Sequence, residues 1–288
     1  MVAGFLCGNA AVVSRAADSV AAPKNETEAA ALRTRFLNET NIASRREILK
    51  ALAGTRNEAS VEIVVGLLSA TNRNSELFPD ALDAAGSVSS IYVTSALIDL
   101  SKASLPTNLL ARTLEVLGNK GSTDGLAALA PHLRSPDSRV RQAAAAGLAK
   151  GRGHPGINLI LPYLNDPSVE TRRAAVGALG HYRHGRVVPY LLKAYADPAT
   201  REEARLALAN VPSADAIEAY LGGLSLRDTN TVHVCQQAIQ KISADVLPAI
   251  EARTAHLFPE TLARLREVYA HDEKARQGPL FQSIPPAK

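Results

Sequence analysis

The chain has 288 residues, of which 46% are hydrophobic, and a formal net charge of +4 at pH 7. This hydrophobic content is enough for a folded core and argues against disorder. Only 4% of the residues are aromatic and none is Trp, so the core must be built from Leu, Ala, Val and Ile, which favours packed helices over a sheet. With two cysteines, Cys7 and Cys235, a disulfide scaffold and a Cys-based zinc site are excluded, and no apolar run is long enough for a membrane span.

Residues 1–27 are predicted to form an N-terminal tail or a capping helix. The start of this segment is apolar, and Val20-Ala21-Ala22 resembles the small-residue cleavage site of an export signal. However, no Lys or Arg opens the segment, and Arg15 and Asp18 interrupt the approach to that site. The localisation therefore stays open: cytoplasmic, or periplasmic or extracellular if the segment is a signal or the chain is part of a secreted protein.

A short sequence motif recurs along the chain at a nearly constant spacing. It is a Leu-Gly or Leu-Ala type pair that closes an apolar helical pattern. Its copies end at Gly54, Gly86, Gly118, Ala149, Gly180, Ala209 and, in degenerate form, Gln240. The steps between them are 32, 32, 31, 31, 29 and 31 residues. This regularity predicts a repeat protein with one continuous core rather than two globular domains.

Residues 157–180 show how one repeat is organised. Apolar side chains at positions 157, 160, 161 and 164 follow the i, i+3, i+4, i+7 pattern of one helix face. The turn Asn165-Asp166-Pro167 comes next, and its proline fits the first turn of a new helix. That second helix is predicted from Ser168 to Leu179, with Gly180 in the left-handed conformation that often ends a helix. Each repeat is therefore predicted to be a helix hairpin of about 30 residues.

The second half of this repeat carries a family resemblance. Residues Leu164 to Gly180 follow the pattern Leu-x-Asp-Pro-x-x-x-x-Arg-x-x-Ala-x-x-Ala-Leu-Gly, which resembles a HEAT repeat, in particular the HEAT-like type of phycobilin lyases. The resemblance extends over residues 28–272 and is clearest in 124–212. It implies an all-α fold, an α-solenoid superhelix of about seven to eight HEAT-like hairpins, and a protein-binding scaffold. The motif specifies a fold rather than a chemistry.

An arginine recurs seven residues before the closing leucine of four repeats. These arginines are Arg45, Arg141, Arg172 and Arg201. They could bind phosphate, but in HEAT-like arrays an arginine at this position typically pairs with the aspartate of the turn. The resemblance therefore implies a structural ladder between these arginines and the turn carboxylates Asp137, Asp166 and Asp197.

The repeat frame also predicts which side chains of the second helices face a concave surface. Arg139 and Glu170 lie nine residues before the closing apolar residue of their repeats. Four further side chains lie six residues before it: Gln142, Arg173, Glu202 and His233. We expect these six residues to contribute to partner binding.

Positive charge is concentrated in residues 132–193, which contain ten Lys and Arg against three Asp and Glu. Such a block could attract an acidic protein surface or a nucleic-acid backbone. Tyrosines 163, 182 and 190 are its only aromatic residues, and no dense basic stripe follows successive helices, so we do not favour nucleic acid.

The remaining reactive residues are predicted to be structural. Cys235 falls at the repeat position of Ala144, Ala175 and Ala204, so it is expected to fill a small-residue packing position rather than act as a nucleophile. The histidines at 154, 181 and 184 lie near one edge, but no carboxylate pattern accompanies them. We therefore predict neither a metal site nor a cofactor.

Residues 273–288 are predicted to form a proline-containing tail or an extended linker, because apolar periodicity stops near Asp272. A linker suggests that the natural polypeptide continues. The arrangement resembles HEAT segments embedded in large secreted bacterial proteins, between a β-propeller dehydrogenase-like domain and a c-type cytochrome domain.

The sequence favours a non-catalytic scaffold whose concave face binds a protein or a neighbouring domain. It does not indicate an oligomeric state. Two alternatives remain. The first is a HEAT-like lyase or chaperone helper for a tetrapyrrole or metal cofactor protein. The second is a nucleic-acid-binding protein that uses the basic block 132–193.

Overall fold

The computed structural model describes residues 20–55, 57–69, 75–151 and 154–282. All regular elements within these ranges are helices, and no strand occurs in them. The prediction of an all-α repeat fold is therefore confirmed. Helices α1 to α16 alternate as first and second members of eight consecutive pairs, in agreement with the expected seven to eight hairpins.

The chain divides into two compact units, residues 1–96 and 97–288. The helices of the first unit are α1 (Glu26–Asn38), α2 (Ile42–Ala53), α3 (Glu58–Leu68) and α4 (Phe78–Ser87), and α5 (Ile91–Ser101) runs across the boundary. Asn25, Asn41 and Asn57 each cap the N-terminus of a helix by accepting a hydrogen bond from a backbone N–H, which satisfies a donor that the helix leaves free.

Within the first unit, α1 packs on α3 and α2 packs on α4. Phe36, Phe78, Leu52 and Leu82 are almost fully buried between them. The hairpins in this region form although the Asp-Pro turn of the later repeats is missing from it.

The second unit continues the alternation of helices. Its helices are α6 (Thr107–Lys120), α7 (Thr123–Leu129), α8 (Ser138–Ala149), α9 (His154–Ile160), α10 (Val169–Gly180), α11 (Val188–Ala196), α12 (Arg201–Asn210), α13 (Ile217–Leu224), α14 (Thr229–Lys241), α15 (Ser243–Glu251), α16 (Pro259–Val268), α17 (Glu273–Gln277) and α18 (Pro279–Gln282). The second helices α6, α8, α10, α12, α14 and α16 each contact the next one in this order. They therefore form one layer, which exposes a continuous set of helix faces.

The glycine at the end of a repeat has a different role from the one predicted. Gly180 is the last residue of α10, and the following His181 has φ −83°, so no left-handed residue ends this helix. A Cβ added at Gly180 would lie 2.6 Å from Cβ of Ala207 on α12, and one added at Gly118 would overlap Cα of Gly147. The missing side chain thus lets neighbouring second helices approach closely.

The C-terminal segment also differs from the extended linker that the sequence predicts. Residues 273–282 form α17 and α18, and Ala275 and Leu280 are fully buried. The Leu280 carbonyl accepts a hydrogen bond from Nε of Arg266 at 2.8 Å. Because these contacts attach residues 273–282 to α16, this part of the tail is folded. Residues 283–288 and residues 1–19 of the predicted N-terminal tail or capping helix, which include Cys7, lie outside the described residues. The predicted domain boundaries stay predictions.

Candidate functional site

The second helices α8 and α10 enclose a surface groove of about 510 Å³. Its floor is made of small residues, and its edges carry polar and charged side chains. The lining residues are Ser138, Arg141, Gln142, Ala145, Ala146, Glu170, Arg173, Ala174, Gly177 and His181. Because the small residues follow the larger polar ones along both helices, the groove is polar near the helix N-termini and mostly apolar further along.

The helices α8 and α10 run parallel. The Tyr182 hydroxyl, just after α10, donates to the carbonyl of Leu148 in the last turn of α8, so the two C-terminal ends lie together. Ser138 opens α8 whereas His181 follows α10, and the helical rise places them roughly 15 Å apart along the groove. They are too far apart for the hydrogen bond that a nucleophile and its base require.

The groove contains three of the six residues predicted for the concave face. Gln142, Glu170 and Arg173 line it, and all three are exposed. Arg139 is exposed in the first turn of α8 but is not part of the lining.

The other two predicted residues lie on later helices. Glu202 on α12 forms an ion pair with Arg205. His233 on α14 is exposed, and its Nε2 lies 2.9 Å from Nε2 of Gln237. Since neither residue lines the groove, only some of the residues predicted for the concave face lie together in one site.

Glu170 is held in its ionised form. Its own backbone N–H and the Ser168 hydroxyl, which donates to Oε2 at 2.9 Å, hold the pKa of Glu170 below its usual value. The positive charges of Arg141 and Arg173 lower this pKa further. The groove therefore carries one fixed carboxylate beside two guanidinium groups.

Arg173 is fixed at one end only. Its Nε donates to the carbonyl of Ala199 at 2.8 Å and lies 3.2 Å from Oε1 of Glu203. Within the described part of the chain, its two terminal nitrogens have no hydrogen-bond partner, and half of the side chain is exposed. A guanidinium anchored in this way keeps two parallel N–H donors for a carboxylate.

The recurrent arginines mainly bind backbone carbonyls instead of forming the expected ladder. Nη1 of Arg141 donates to the carbonyls of Ser135 and Pro136, both at 2.9 Å. Nη1 of Arg172 donates to the carbonyls of Asp166 at 2.9 Å and Pro167 at 3.2 Å.

Arg201 follows the same rule, since it donates to the carbonyls of Tyr195 and Ala196. Arg45 lies over the Phe36 ring, 4.5 Å from its centre. Arg141, Arg172 and Arg201 thus hold the turn that precedes their own helix, because carbonyls at the end of a helix have no partner within it.

Two of the turn aspartates make other contacts: Asp137 within its own turn, and Asp166 with the preceding repeat. Asp137 caps α8 by accepting from the N–H groups of Arg139 and Val140. Asp166 pairs with Arg134 at 2.6 Å, and this hydrogen bond holds the pKa of Asp166 below its usual value. Among the described residues, the only ion pair of the expected ladder is between Nε of Arg172 and Oδ2 of Asp197, at 3.4 Å.

One buried charged cluster was not predicted from the sequence. The Arg205 side chain is only 5% exposed, donates to the carbonyl of Ala219 at 3.1 Å and lies 5.6 Å from the centre of the Tyr195 ring. A side chain at Gly223 would collide with Arg205 and with Sγ of Cys235. The Gly222-Gly223 pair, which in sequence looks like an isolated feature, provides the space that the buried arginine needs.

Cys235 occupies the small-residue position that the repeat frame predicts. It is fully buried, as are Ala144, Ala175 and Ala204 at the equivalent positions. Burial raises the pKa of the Cys235 thiol to about 11, so the thiol is neutral at physiological pH and is a poor nucleophile.

The three histidines of this edge differ in what surrounds them. His181 follows α10, and Nδ1 of His184 accepts a hydrogen bond from the N–H of Arg186 at 3.1 Å. The side chain of His154 lies outside the described residues. No group of three or more His, Cys, Asp or Glu side chains within the described ranges could hold a metal ion.

None of the helices in the described segments is both long and apolar enough to cross a membrane.

The fold and the groove define an all-α helical-hairpin repeat protein with an exposed groove on its second helices. The family model described as HEAT repeats matches residues 157–240. This range begins within α9 and ends in the last turn of α14. This part of the chain is therefore similar to HEAT repeats, which supports the HEAT-like resemblance that the sequence predicts.

Solved structures with low identity are similar to the chain. An engineered protein has 20% identity and a TM-score of 0.45, covering 87% of this chain and 76% of the other. Human deoxyhypusine hydroxylase in complex with glycerol has 15% identity and a TM-score of 0.35, with coverages of 76% and 97%. The complex of CpcE and CpcF of phycocyanin lyase from Nostoc sp. PCC7120 has 16% identity and a TM-score of 0.41, with coverages of 94% and 99%. A comparison with curated proteins gave no match.

Proposed function

We propose that this protein is a non-catalytic scaffold that binds a protein partner in the groove between α8 and α10. The observation that carries the proposal is the groove itself: its floor of small residues is accessible, and its edge presents the exposed side chains of Gln142, Glu170 and Arg173. An accessible small-residue floor with polar side chains at its edge suits a segment of another protein. The HEAT-repeat match supports the proposal, because stacked helix pairs present extended surfaces for binding.

The groove can be filled without disturbing the core. A Cβ added at Gly177 meets no atom within 4 Å, and Gly177 lies on the groove floor. A Gly177→Phe substitution therefore blocks the groove. Gly86 in the last turn of α4 has equally open surroundings, so Gly86→Phe adds the same side chain outside the groove and is the matched control.

The test is affinity capture from native extract with the full chain and these two variants. We expect a stoichiometric protein that is retained by the unmodified protein and by Gly86→Phe and is lost with Gly177→Phe. Equal capture by Gly177→Phe, or the absence of any partner that depends on the groove, contradicts the proposal.

A further inference from the structure

The groove between α8 and α10 also indicates the chemistry of its occupant. We infer that it binds a short acidic segment of a partner protein, in which an Asp or Glu side chain pairs with the terminal nitrogens of Arg173 and a neighbouring apolar side chain covers the small-residue floor. This inference rests on the proposed function and specifies the partner class for the same site.

The charge distribution around the groove favours an acidic partner. The block 132–193, which contains both helices of the groove, has ten Lys and Arg against three Asp and Glu. At the groove itself, Arg141 and Arg173 face Glu170, and Glu203 lies beside Nε of Arg173. Arg134 and Arg139 flank the turn before α8, and Arg134 is paired with Asp166. The long-range field therefore favours an acidic partner, which is the usual route to fast and selective association.

Arg173 presents a pair of free donors to the groove. Because Nε is already bound to the Ala199 carbonyl and to Glu203, the plane of the guanidinium is oriented and its terminal nitrogens point away from these partners. A carboxylate that binds both of them gains two charge-assisted hydrogen bonds at a small cost in side-chain entropy. The backbone N–H groups at the start of α10 add a favourable field for a negative charge.

The charged and small residues follow one another in a fixed order along the groove. Arg173 lies in the second turn of α10, whereas Gly177 and His181 follow one and two turns later. The distance from Arg173 to His181 along the axis is about 12 Å, which an extended peptide spans with about four residues. The small residues Ala145, Ala146, Ala174 and Gly177 lie between these ends. An acidic residue followed by a small or medium apolar residue matches this order.

The groove also contains a negative charge, Glu170, whose removal should have the opposite effect to the removal of Arg173. Glu170 is held ionised by its own N–H and by Ser168, so it repels an incoming carboxylate. Replacing Arg173 must lower the affinity for an acidic ligand, and replacing Glu170 must raise this affinity. A purely steric groove would respond to neither change in this way.

The experiment measures fluorescence anisotropy of a labelled octapeptide, Glu-Glu-Leu-Ala repeated twice, with the full chain at low ionic strength. The same peptide with Gln in place of Glu is the neutral control. We expect the Glu peptide to bind roughly tenfold more tightly than the Gln peptide, Arg173→Gln to remove about that factor, and Glu170→Gln to raise the affinity roughly threefold. Arg139→Gln removes the same charge from α8 outside the groove, and we expect it to weaken binding less than Arg173→Gln.

The inference is overturned if neither peptide binds, if the Glu and Gln peptides bind equally, or if Arg139→Gln and Arg173→Gln weaken binding to the same extent. It is also overturned if a single-stranded oligonucleotide displaces the peptide and binds more tightly, since the basic block would then serve a nucleic acid. If Gly177→Phe still blocks capture of a partner while the Glu peptide has no advantage, the groove is a protein-binding site for a partner that is not acidic. If Gly177→Phe leaves capture unchanged, the proposed function itself fails.

Discussion

At the scale of single residues, the distance between neighbouring second helices depends on glycine. A side chain at Gly118 on α6 would overlap the backbone of Gly147 on α8, and one at Gly180 would lie 2.7 Å from Cα of Ala207. Backbone atoms cannot move aside as a flexible side chain can, so even one added methyl group must push these helices apart.

We therefore expect Gly118→Ala to lower the free energy of unfolding by about 1–3 kcal/mol, the usual cost of overpacking. Gly177→Ala is the matched control, since its Cβ meets open space and alanine is preferred over glycine inside a helix by about 0.5–1 kcal/mol. Urea unfolding of both variants checks this prediction. Equal effects of the two substitutions would contradict the close approach of α6 and α8.

At the scale of the helical elements, the recurrent arginine secures the turn within each repeat. Arg141, Arg172 and Arg201 all donate to the last carbonyls of the preceding helix or turn. The same sequence position thus has the same local task in three repeats. This arrangement fixes the start of α8, α10 and α12 and thereby the edges of the groove.

Arg172→Met keeps the length of the aliphatic stem but removes every donor. The carbonyls of Asp166 and Pro167 lose their side-chain partner, and Asp197 loses its ion pair, so we expect a loss of about 1–2 kcal/mol in the free energy of unfolding. Arg139→Met is the control, because the exposed Arg139 guanidinium has no hydrogen bond or ion pair to any residue in the described ranges. Equal stability of the two variants in thermal or urea unfolding would show that the carbonyl contacts contribute nothing.

The sequence predicts the helical elements and part of the groove, because both depend on periodicity. The closing Leu-Gly motif fixes the repeat frame, and this frame places Cys235 in a buried small-residue position and Gln142, Glu170 and Arg173 on exposed helix faces, as observed. The spacing cannot reveal what a side chain meets on a neighbouring repeat. For this reason the packing role of Gly180 and the carbonyl contacts of the arginines were not predicted.

The surroundings of the buried Arg205 also could not be predicted from the spacing of residues. Its charge is compensated by Glu202, the Ala219 carbonyl and the Tyr195 ring, which come from different elements. Only the unusual Gly222-Gly223 pair signals it in the sequence, because glycine leaves space for a large neighbour. The helical tail at 273–282 was missed for a related reason: its short helices are held by two buried side chains rather than by a periodic pattern.

At the scale of the whole molecule, buried tyrosines connect successive repeats and make stability sensitive to high pH. The Tyr182 hydroxyl donates to the Leu148 carbonyl of the previous repeat, and the Tyr220 hydroxyl donates to the Leu208 carbonyl at 3.1 Å. Burial raises the pKa of both Tyr182 and Tyr220 to about 12. An exposed tyrosine in the unfolded chain has a pKa of about 10.

Between about pH 10 and 12 the folded protein keeps these two protons while the unfolded chain releases them, so the stability falls as the pH rises. We expect each tyrosine to lower the free energy of unfolding by roughly 1.4 kcal/mol per pH unit in this window. The measurement is urea unfolding as a function of pH, followed by circular dichroism.

The double variant Tyr182→Phe, Tyr220→Phe is less stable at neutral pH by about 0.5–1.5 kcal/mol for each lost hydrogen bond. The loss is no larger because the Leu148 and Leu208 carbonyls still accept the N–H groups of Gly151 at 3.0 Å and Val211 at 2.9 Å. The stability of the double variant should nevertheless decline less steeply above pH 10 than that of the unmodified protein. Parallel pH profiles for the two proteins would contradict the assignment of this effect to the tyrosines.

Site-specific photo-cross-linking tests whether a protein partner occupies the groove between α8 and α10. A benzophenone side chain is placed at Gln142, which lines the groove, and separately at Tyr92, which is 69% exposed on α5. After irradiation in native extract, the intact mass of the cross-linked product is measured. We expect one stoichiometric partner joined at position 142 and not at position 92. Cross-linking of the same partner at position 92 alone, or of no partner at position 142, would contradict it.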